Sequence, residues 1–172
     1  IQSTKGFIVS VNPRKEADNM YKIFTERFGM IFTTAQSSRK ETSKLRGSLE
    51  RYSISEVSFV EGKGGYRMTG ANKLFSLNDI GFENTKAVEL IVGLSRLLKK
   101  LCPESEVHEK IFTILEDTYK EVIKKRKDEE FLENYEILVV VRILQELGYW
   151  NEEKDNIDIE KIKKAVKAGT NN

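Results

Sequence analysis

The residues best suited to nucleophilic chemistry are Cys102 and His108, the single cysteine and the single histidine of the chain. A cysteine nucleophile needs a histidine within hydrogen-bonding distance and a third group that orients the imidazole. Here the two residues lie on either side of Pro103, at the end of one predicted helix and in the first turn of the next. We therefore expect a packed cysteine and a surface histidine, and we do not expect an enzyme.

Metal and phosphate-loop chemistry also lack the residues they need. A structural zinc ion takes four Cys or His ligands at characteristic spacings, and the sequence holds one of each. The glycine-rich stretch at 62–65 departs from the GxxxxGK[ST] frame of phosphate-binding loops and joins two predicted strands. We expect a hairpin turn there, and neither a metal ion nor another cofactor.

Basic residues carry the remaining chemistry, and they concentrate in the first half of the chain. Residues 1–80 hold 13 Lys and Arg against 8 Asp and Glu, a net charge of +5, whereas residues 81–172 hold 16 against 19, a net charge of −3. Such an asymmetry indicates a polyanion partner such as nucleic acid for the basic half. The predicted DNA-binding residues are Arg14, Lys15, Arg39, Lys40, Lys44, Arg46, Arg51, Lys63 and Arg67. For each of them, an ordinary solvated charge is the alternative.

Aromatic residues of the same half are available for stacking on bases. They are Tyr21, Phe24, Phe32, Tyr52, Phe59 and Tyr66. A small barrel needs most of its aromatic side chains inside, so we expect one or two exposed stacking residues at most. The sequence does not say which.

The elements that position these side chains are strands in the first 80 residues. Apolar residues recur with a period of two at Phe7, Val9 and Val11 and again from Tyr21 to Thr25, and Phe28-Gly29 marks a turn into a third strand at 30–35. A short helical turn with Leu45 and Leu49, capped by Ser43, precedes two further strands at 54–60 and 66–71.

Five strands with a helical turn between the third and fourth follow the order of the OB-fold, a closed barrel that often binds single-stranded nucleic acid. SH3-like barrels also have five strands, so patterning alone leaves other small barrels open.

After Phe82 the apolar period becomes helical. A first helix over 87–101 ends at Pro103, and a second begins at a Ser105 cap with Val107 facing inward. A third, over 129–147, is apolar around most of its circumference, ends at Gly148 and is expected at the centre of the bundle, and a short fourth covers 158–168. The predicted class is α+β, with an OB-fold nucleic-acid-binding domain at 1–80 and a helical domain at 81–172.

Arg142 interrupts the third helix and is a candidate for binding a protein partner. An acidic, apolar peptide tail needs a hydrophobic slot with a cation beside it, and a buried guanidinium is costly unless it is paired. Arg142 either serves such a tail, or lies at the bundle edge, or pairs internally with Glu136 or Glu146.

Cellular location follows from two further observations. A single cysteine is typical of a reducing compartment, and the longest apolar run, at 137–141, is far shorter than the ~18 to 20 residues of a membrane span. We expect a cytoplasmic protein without a membrane or small-molecule partner.

Several stretches together resemble the bacterial recombination mediator family RecO. They are Lys-Gly-Phe-Ile-Val at 5–9, Glu-Ala-Asp at 16–18, Phe-Thr-Glu at 24–26 before Phe28-Gly29, Leu-Arg-Gly-Ser-Leu-Glu at 45–50 and Arg-Ile-Leu-Gln-Glu-Leu-Gly-Tyr at 142–149. The resemblance covers about residues 5 to 149, and rests on the order and spacing of the stretches rather than on any one of them.

The resemblance implies an OB-fold followed by a helical domain in a nucleoid-associated protein of DNA repair. It also implies binding of single- and double-stranded DNA, annealing of complementary strands, and recombinase loading on strands coated by single-strand-binding protein. The implied protein partners are RecR and the C-terminal tail of single-strand-binding protein.

This sequence departs from the family pattern at several positions. The Lys-Gly-Ala-Arg usual before the basic loop is Gln-Ser-Ser-Arg at 36–39, which loses a lysine, and a proline usual after Leu-Glu is Arg51. An aromatic-acidic pair usual before the last helix segment is Val139-Val140, and the four-cysteine zinc module of many members is missing, as in a short form. The alternative functions are an OB-fold scaffold for protein interactions and an enzyme of unknown type.

Overall fold

The computed structural model describes residues 1–14, 18–36, 45 and 47–150. In chain order these residues form strands and helices as follows: β1 (Gln2–Arg14), β2 (Asp18–Thr25), β3 (Gly29–Ala35), β4 (Ile54–Gly62), β5 (Gly65–Phe75), α1 (Leu77–Ile80), α2 (Thr85–Leu101), α3 (Glu109–Lys125) and α4 (Glu129–Glu146). The predicted helix at 158–168 and the predicted cap Ser43 lie outside the described residues.

The five strands close into a barrel in the order β1-β2-β3-β5-β4, with β4 also paired to β1. All pairs are antiparallel except β3 with β5, which meet in parallel at Thr33–Tyr66 and Thr34–Arg67. This closed order confirms the OB-fold prediction. The glycine-rich stretch is a hairpin turn, since Gly62 pairs with Gly65 and two residues lie between them.

β1 is buried on both faces, because it lies between the barrel interior and the helices. Ile8 packs inside the barrel, whereas Phe7 and Val9 pack against the helices. The register with β2 shifts between Ile8 and Ser10, and the extra residue reverses the alternation beyond it. Val11 therefore turns towards the barrel interior, like Ile8, and does not share the face of Phe7 and Val9 as the period of two predicts.

The helices and one face of the barrel share a single core. Phe7, Phe24, Met30 and Ile54 of the strands are fully buried in it. Their partners in the helices include Leu90, Leu94, Leu98, Phe112, Leu115, Tyr119, Leu132 and Val139. α4 packs against both α2 and α3, in agreement with the central place that its wide apolar surface predicts.

The predicted start of the second long helix is wrong. Ser105 does not cap it: its φ is 62° and its amide donates to the Met30 carbonyl at 3.1 Å. Glu104 forms a bridge with Met30, so this segment covers the edge of β3 that β5 leaves unpaired. The helix begins at Glu109 instead, with His108 at the N-cap. Val107 consequently lies on the surface, 47% exposed, and not in the core.

The short helix α1 is absent from the prediction. Its first turn is closed by a capping box, in which the Ser76 amide donates to the Asp79 carboxylate at 2.7 Å. Ile80 follows and is 1% exposed in the shared core. Among the described helices, none has the length and apolar character needed to cross a membrane.

Candidate nucleic-acid interface

The described residues include four of the predicted DNA-binding cations: Arg14, Arg51, Lys63 and Arg67. All four are exposed. The other five, Lys15, Arg39, Lys40, Lys44 and Arg46, lie outside the described residues.

Arg14, Lys63 and Arg67 border the outer surface of β2 and β3, Arg14 on the side of β1 and the other two on the side of β5. Arg14 ends β1 opposite Asp18, the first residue of β2, and Arg67 lies near the start of β5 beside Thr34, near the end of β3. Lys63 is in the turn between β4 and β5. We call these three cations the rim. The β1–β2 and β4–β5 loops that carry them are the loops with which OB-folds hold oligonucleotides.

Arg51 lies apart from the rim. Its guanidinium is 4.8 Å from the ring centre of Tyr52, and the Tyr52 amide donates to the carbonyl of Ile8. Ile8 precedes Arg14 by six residues, about 20 Å along an extended strand. The Tyr52 carbonyl also accepts a hydrogen bond from the Tyr119 hydroxyl of α3. The structure therefore places Arg51 near the helices, and does not bring it together with the rim.

The outer surface of the barrel next to the rim is formed by two rows of directly opposed residues. Such partners project to the same side of a sheet. One row is Ser10, Lys22 and Phe32, and the other is Asn12, Met20, Thr34 and Arg67. We call these two rows the open face. Phe32 is 39% exposed there, and the Lys22 ammonium lies 5.0 Å from its ring centre.

The structure decides which of the candidate stacking residues is available. Tyr21, Phe24 and Phe59 are buried, and Tyr52 and Tyr66 are half-buried. Tyr66 is held against Phe59 with 5.0 Å between ring centres. Of the six candidates, Phe32 alone is exposed.

Lys22 is the residue of the open face that sequence reasoning missed. It alternates with Tyr21 and Ile23, which both lie in the barrel core, and this alternation is a signal that it faces outward. The pattern gives no indication of its partner, because the opposition of Lys22 and Phe32 depends on the register of two strands.

Cys102 and His108 lie in surroundings that do not favour a nucleophilic thiol. Burial, with a smaller contribution from the charge of Glu106, raises the pKa of the Cys102 thiol to about 11. The His108 Nε2 atom lies 3.7 Å from a carboxylate oxygen of Glu106. In the part of the chain that the structure describes, no group of three or more His, Cys, Asp or Glu residues is arranged to hold a metal ion.

Arg142 is exposed at the bundle edge, so the cost of burying its guanidinium does not arise. The two carboxylates considered as internal partners have other cations: Glu136 pairs with Lys86 at 2.9 Å and Glu146 pairs with Lys110 at 3.6 Å. Along α4, Arg142 continues a partly exposed stripe at helical spacing. The stripe consists of Phe131, Tyr135, Leu138 and Arg142.

Comparison with known proteins places these elements in a family. Residues 1–76 match the model of the recombination protein O N-terminal domain. The DNA repair protein RecO of Dehalococcoides mccartyi strain BAV1 is 31% identical over 146 residues, which are 85% of this chain and 56% of that protein. The DNA repair protein RecO of Thermodesulfovibrio yellowstonii is 26% identical over 147 residues, 86% of this chain and 57% of its own length.

The chain thus spans a little over half the length of these relatives. The match continues past the barrel into the helices, as the resemblance in the sequence predicts. From the closed barrel, the domain match and these relatives, we conclude that the chain belongs to the RecO family.

Proposed function

We propose that this chain acts in DNA repair and recombination by binding single- and double-stranded DNA at the rim, beside the open face. The observation that carries the proposal is the position of Arg14, Lys63 and Arg67 on the two sides of the open face of an OB-fold barrel. Cations there can neutralise successive phosphates. β3 ends at Ala35, opposite Asn19 of β2, and the basic stretch of the sequence follows Ala35.

The test of DNA binding is the dependence of affinity on salt. If about four phosphates are neutralised, log affinity for a single strand falls with log salt at a slope of about −3, because each contact contributes about 0.7. The combined change Arg14→Ala, Lys63→Ala and Arg67→Ala should weaken binding and flatten the slope by about 2 units.

A matched control removes three exposed lysines from the helical part: Lys99→Ala, Lys110→Ala and Lys127→Ala. This variant should keep the slope of the unaltered protein. Equal slopes in the rim variant and the unaltered protein would move the site away from the rim. The loop variant Arg39→Ala, Lys44→Ala and Arg46→Ala tests the remaining predicted contacts in the same way.

The proposed activity beyond binding is annealing of complementary strands and help in loading recombinase, with RecR as a partner. These activities are proposed from the RecO family membership alone. The chain spans little over half of the length of its relatives. Annealing of oligonucleotides coated with single-strand-binding protein is the direct assay. Absence of both annealing and salt-dependent DNA binding would favour the alternative, an OB-fold scaffold for protein interactions.

A second proposed partner is the acidic, apolar C-terminal tail of single-strand-binding protein, bound on α4. The supporting observation is the α4 stripe, in which Leu138 is 44% exposed one turn before the Arg142 cation. Arg142→Ala should weaken binding of a tail peptide and leave binding of bare DNA intact. Lys99→Ala, another exposed cation, serves as the control, and a tail affinity equal in both variants would remove Arg142 from the site.

A further inference from the structure

We propose that Phe32 stacks on a base of single-stranded DNA while Lys22 and Arg67 hold the adjoining phosphates. This makes the open face a contact that a duplex cannot use. The inference rests on the proposed DNA binding and adds to it the residue that touches a base and the form of DNA selected.

The first supporting observation is the position on the barrel at which the helices stop covering its outer surface. Phe24 and Met30, opposed on β2 and β3, are both fully buried. The ring of Phe112 lies 6.1 Å from that of Phe24, and residues 104–105 lie along Met30. Lys22 and Phe32 form the next opposed pair on this surface. The covered region ends between the two pairs, and Phe32 is the first aromatic residue beyond it.

The second support is the charge around the ring. Lys22 lies on the neighbouring strand, about 5 Å away at the backbone, with its ammonium 5.0 Å from the ring centre. Arg67 is opposed to Thr34, two residues further along β3. Cations on two sides of an exposed aromatic ring suit a ligand that is a flat base joined to phosphates. The ring can stack on the base, and the cations can pair with the phosphates.

The form of DNA follows from the chemistry of stacking. A ring on the protein surface needs a base with an uncovered face, and the interior of a paired duplex offers none. Stacking does not read hydrogen-bonding groups, and it therefore tolerates any sequence. The open face should prefer single strands and show little preference among bases.

The experiment combines changes in the protein with changes in the DNA. A labelled thymidine oligonucleotide and an abasic strand of equal length and charge are titrated with the full chain and with Phe32→Ala. Phe32→Ala should lower affinity for the thymidine strand by about fivefold or more. It should leave affinity for the abasic strand, affinity for a duplex and the salt slope unchanged.

Phe82→Ala is the matched control, since Phe82 is 65% exposed between α1 and α2, away from the open face. It should bind both strands as the unaltered protein does. Phe32→Leu keeps apolar bulk in the cross-strand pair and should also lose affinity, whereas Phe32→Trp should retain it. Thermal melts of each variant separate loss of binding from loss of fold.

Three results would overturn the inference: unchanged thymidine affinity in Phe32→Ala, equal loss on the abasic strand, or a Phe32→Leu variant that binds like the unaltered protein. Each of them leaves the rim and its salt dependence standing. If the unaltered protein binds no DNA at all, the proposed function itself fails.

Discussion

Cys102 shows how much its surroundings decide what a single residue can do. The side chain is 4% exposed in the core shared by the barrel and the helices. A thiol reacts as its thiolate, and burial raises the pKa of this thiol from 9.0 to about 11. The residue that looks most reactive in the sequence is therefore a packing residue with little thiolate at neutral pH.

The reactivity of Cys102 can be measured directly. At pH 8 the folded protein should react with a chromogenic disulfide reagent at least about a hundredfold more slowly than the chain in denaturant. The two-unit rise in pKa alone lowers the thiolate population by that factor. A folded protein that reacts as fast as the unfolded one would mean that the thiol is open to solvent.

At the scale of elements, the turn between β2 and β3 shows how one glycine fixes the contact between the barrel and the helices. Gly29 has a φ of 66°, and a side-chain carbon there would lie 2.7 Å from the Glu106 carbonyl carbon. The backbone of Glu106, in the segment before α3, therefore lies so close to the turn that only the hydrogen atom of a glycine fits between them. This approach accompanies the bridge between Met30 and Glu104.

Two glycine substitutions separate strain from collision. Gly148 also has a positive φ, 75°, but has open space where a side-chain carbon would be. Gly148→Ala should lower the free energy of unfolding by about 1 to 2 kcal/mol from backbone strain alone. In Gly29→Ala the new methyl group also collides with the Glu106 backbone. The free energy of unfolding should therefore fall by about 3 kcal/mol or more. Urea denaturation measures both, and equal losses would show that the Glu106 backbone yields easily.

Most elements of this fold can be predicted from the sequence, because strands and helices leave a periodic trace. The five strands, the Gly62–Gly65 hairpin and the end of α4 at Gly148 follow from such patterns. The extra residue in β1 and the start of α3 do not. Each depends on a partner distant in sequence: the register with β2 in one case, and the Ser105–Met30 bond in the other.

The candidate site was predictable to the extent that charge and turn position reveal it. The sequence indicates Arg14, Lys63 and Arg67 as candidates, gives no indication of Lys22, and leaves Phe32 among six equivalent aromatic residues. Arg51 was assigned to the same track, although it packs near Tyr52 and the helices. Which residues meet on one face is set by strand register, and that information is not local.

At the scale of the whole molecule, barrel and helices depend on each other. Phe7, Phe24, Met30 and Ile54 have no exposed surface because helices cover them. A salt bridge of 2.9 Å joins Lys5 of β1 to Glu116 of α3 and raises the pKa of the lysine through that hydrogen bond. The division at residue 80 that we propose is accordingly one of function, and the two parts share a core.

Residues 1–80 alone should therefore not fold as a monomer. Separation exposes large apolar side chains, each worth about 1.5 to 3 kcal/mol when buried, against a total stability of about 5 to 15 kcal/mol for a typical domain. Circular dichroism and the amide dispersion of a two-dimensional NMR spectrum would measure the fold, with the full chain as reference. A well-dispersed spectrum from residues 1–80 would show an autonomous barrel.

The dimensions of the open face limit how much of a strand it can occupy. Its longer row crosses four strands, from Asn12 to Arg67, and at about 4.8 Å between strands it measures about 14 Å. At the ~3.4 Å rise of a stacked strand, that is room for about four nucleotides. Because the open face covers so few nucleotides, the flanking bases of a long strand make no contact with it. Those bases can pair with a complement while the protein still holds the strand.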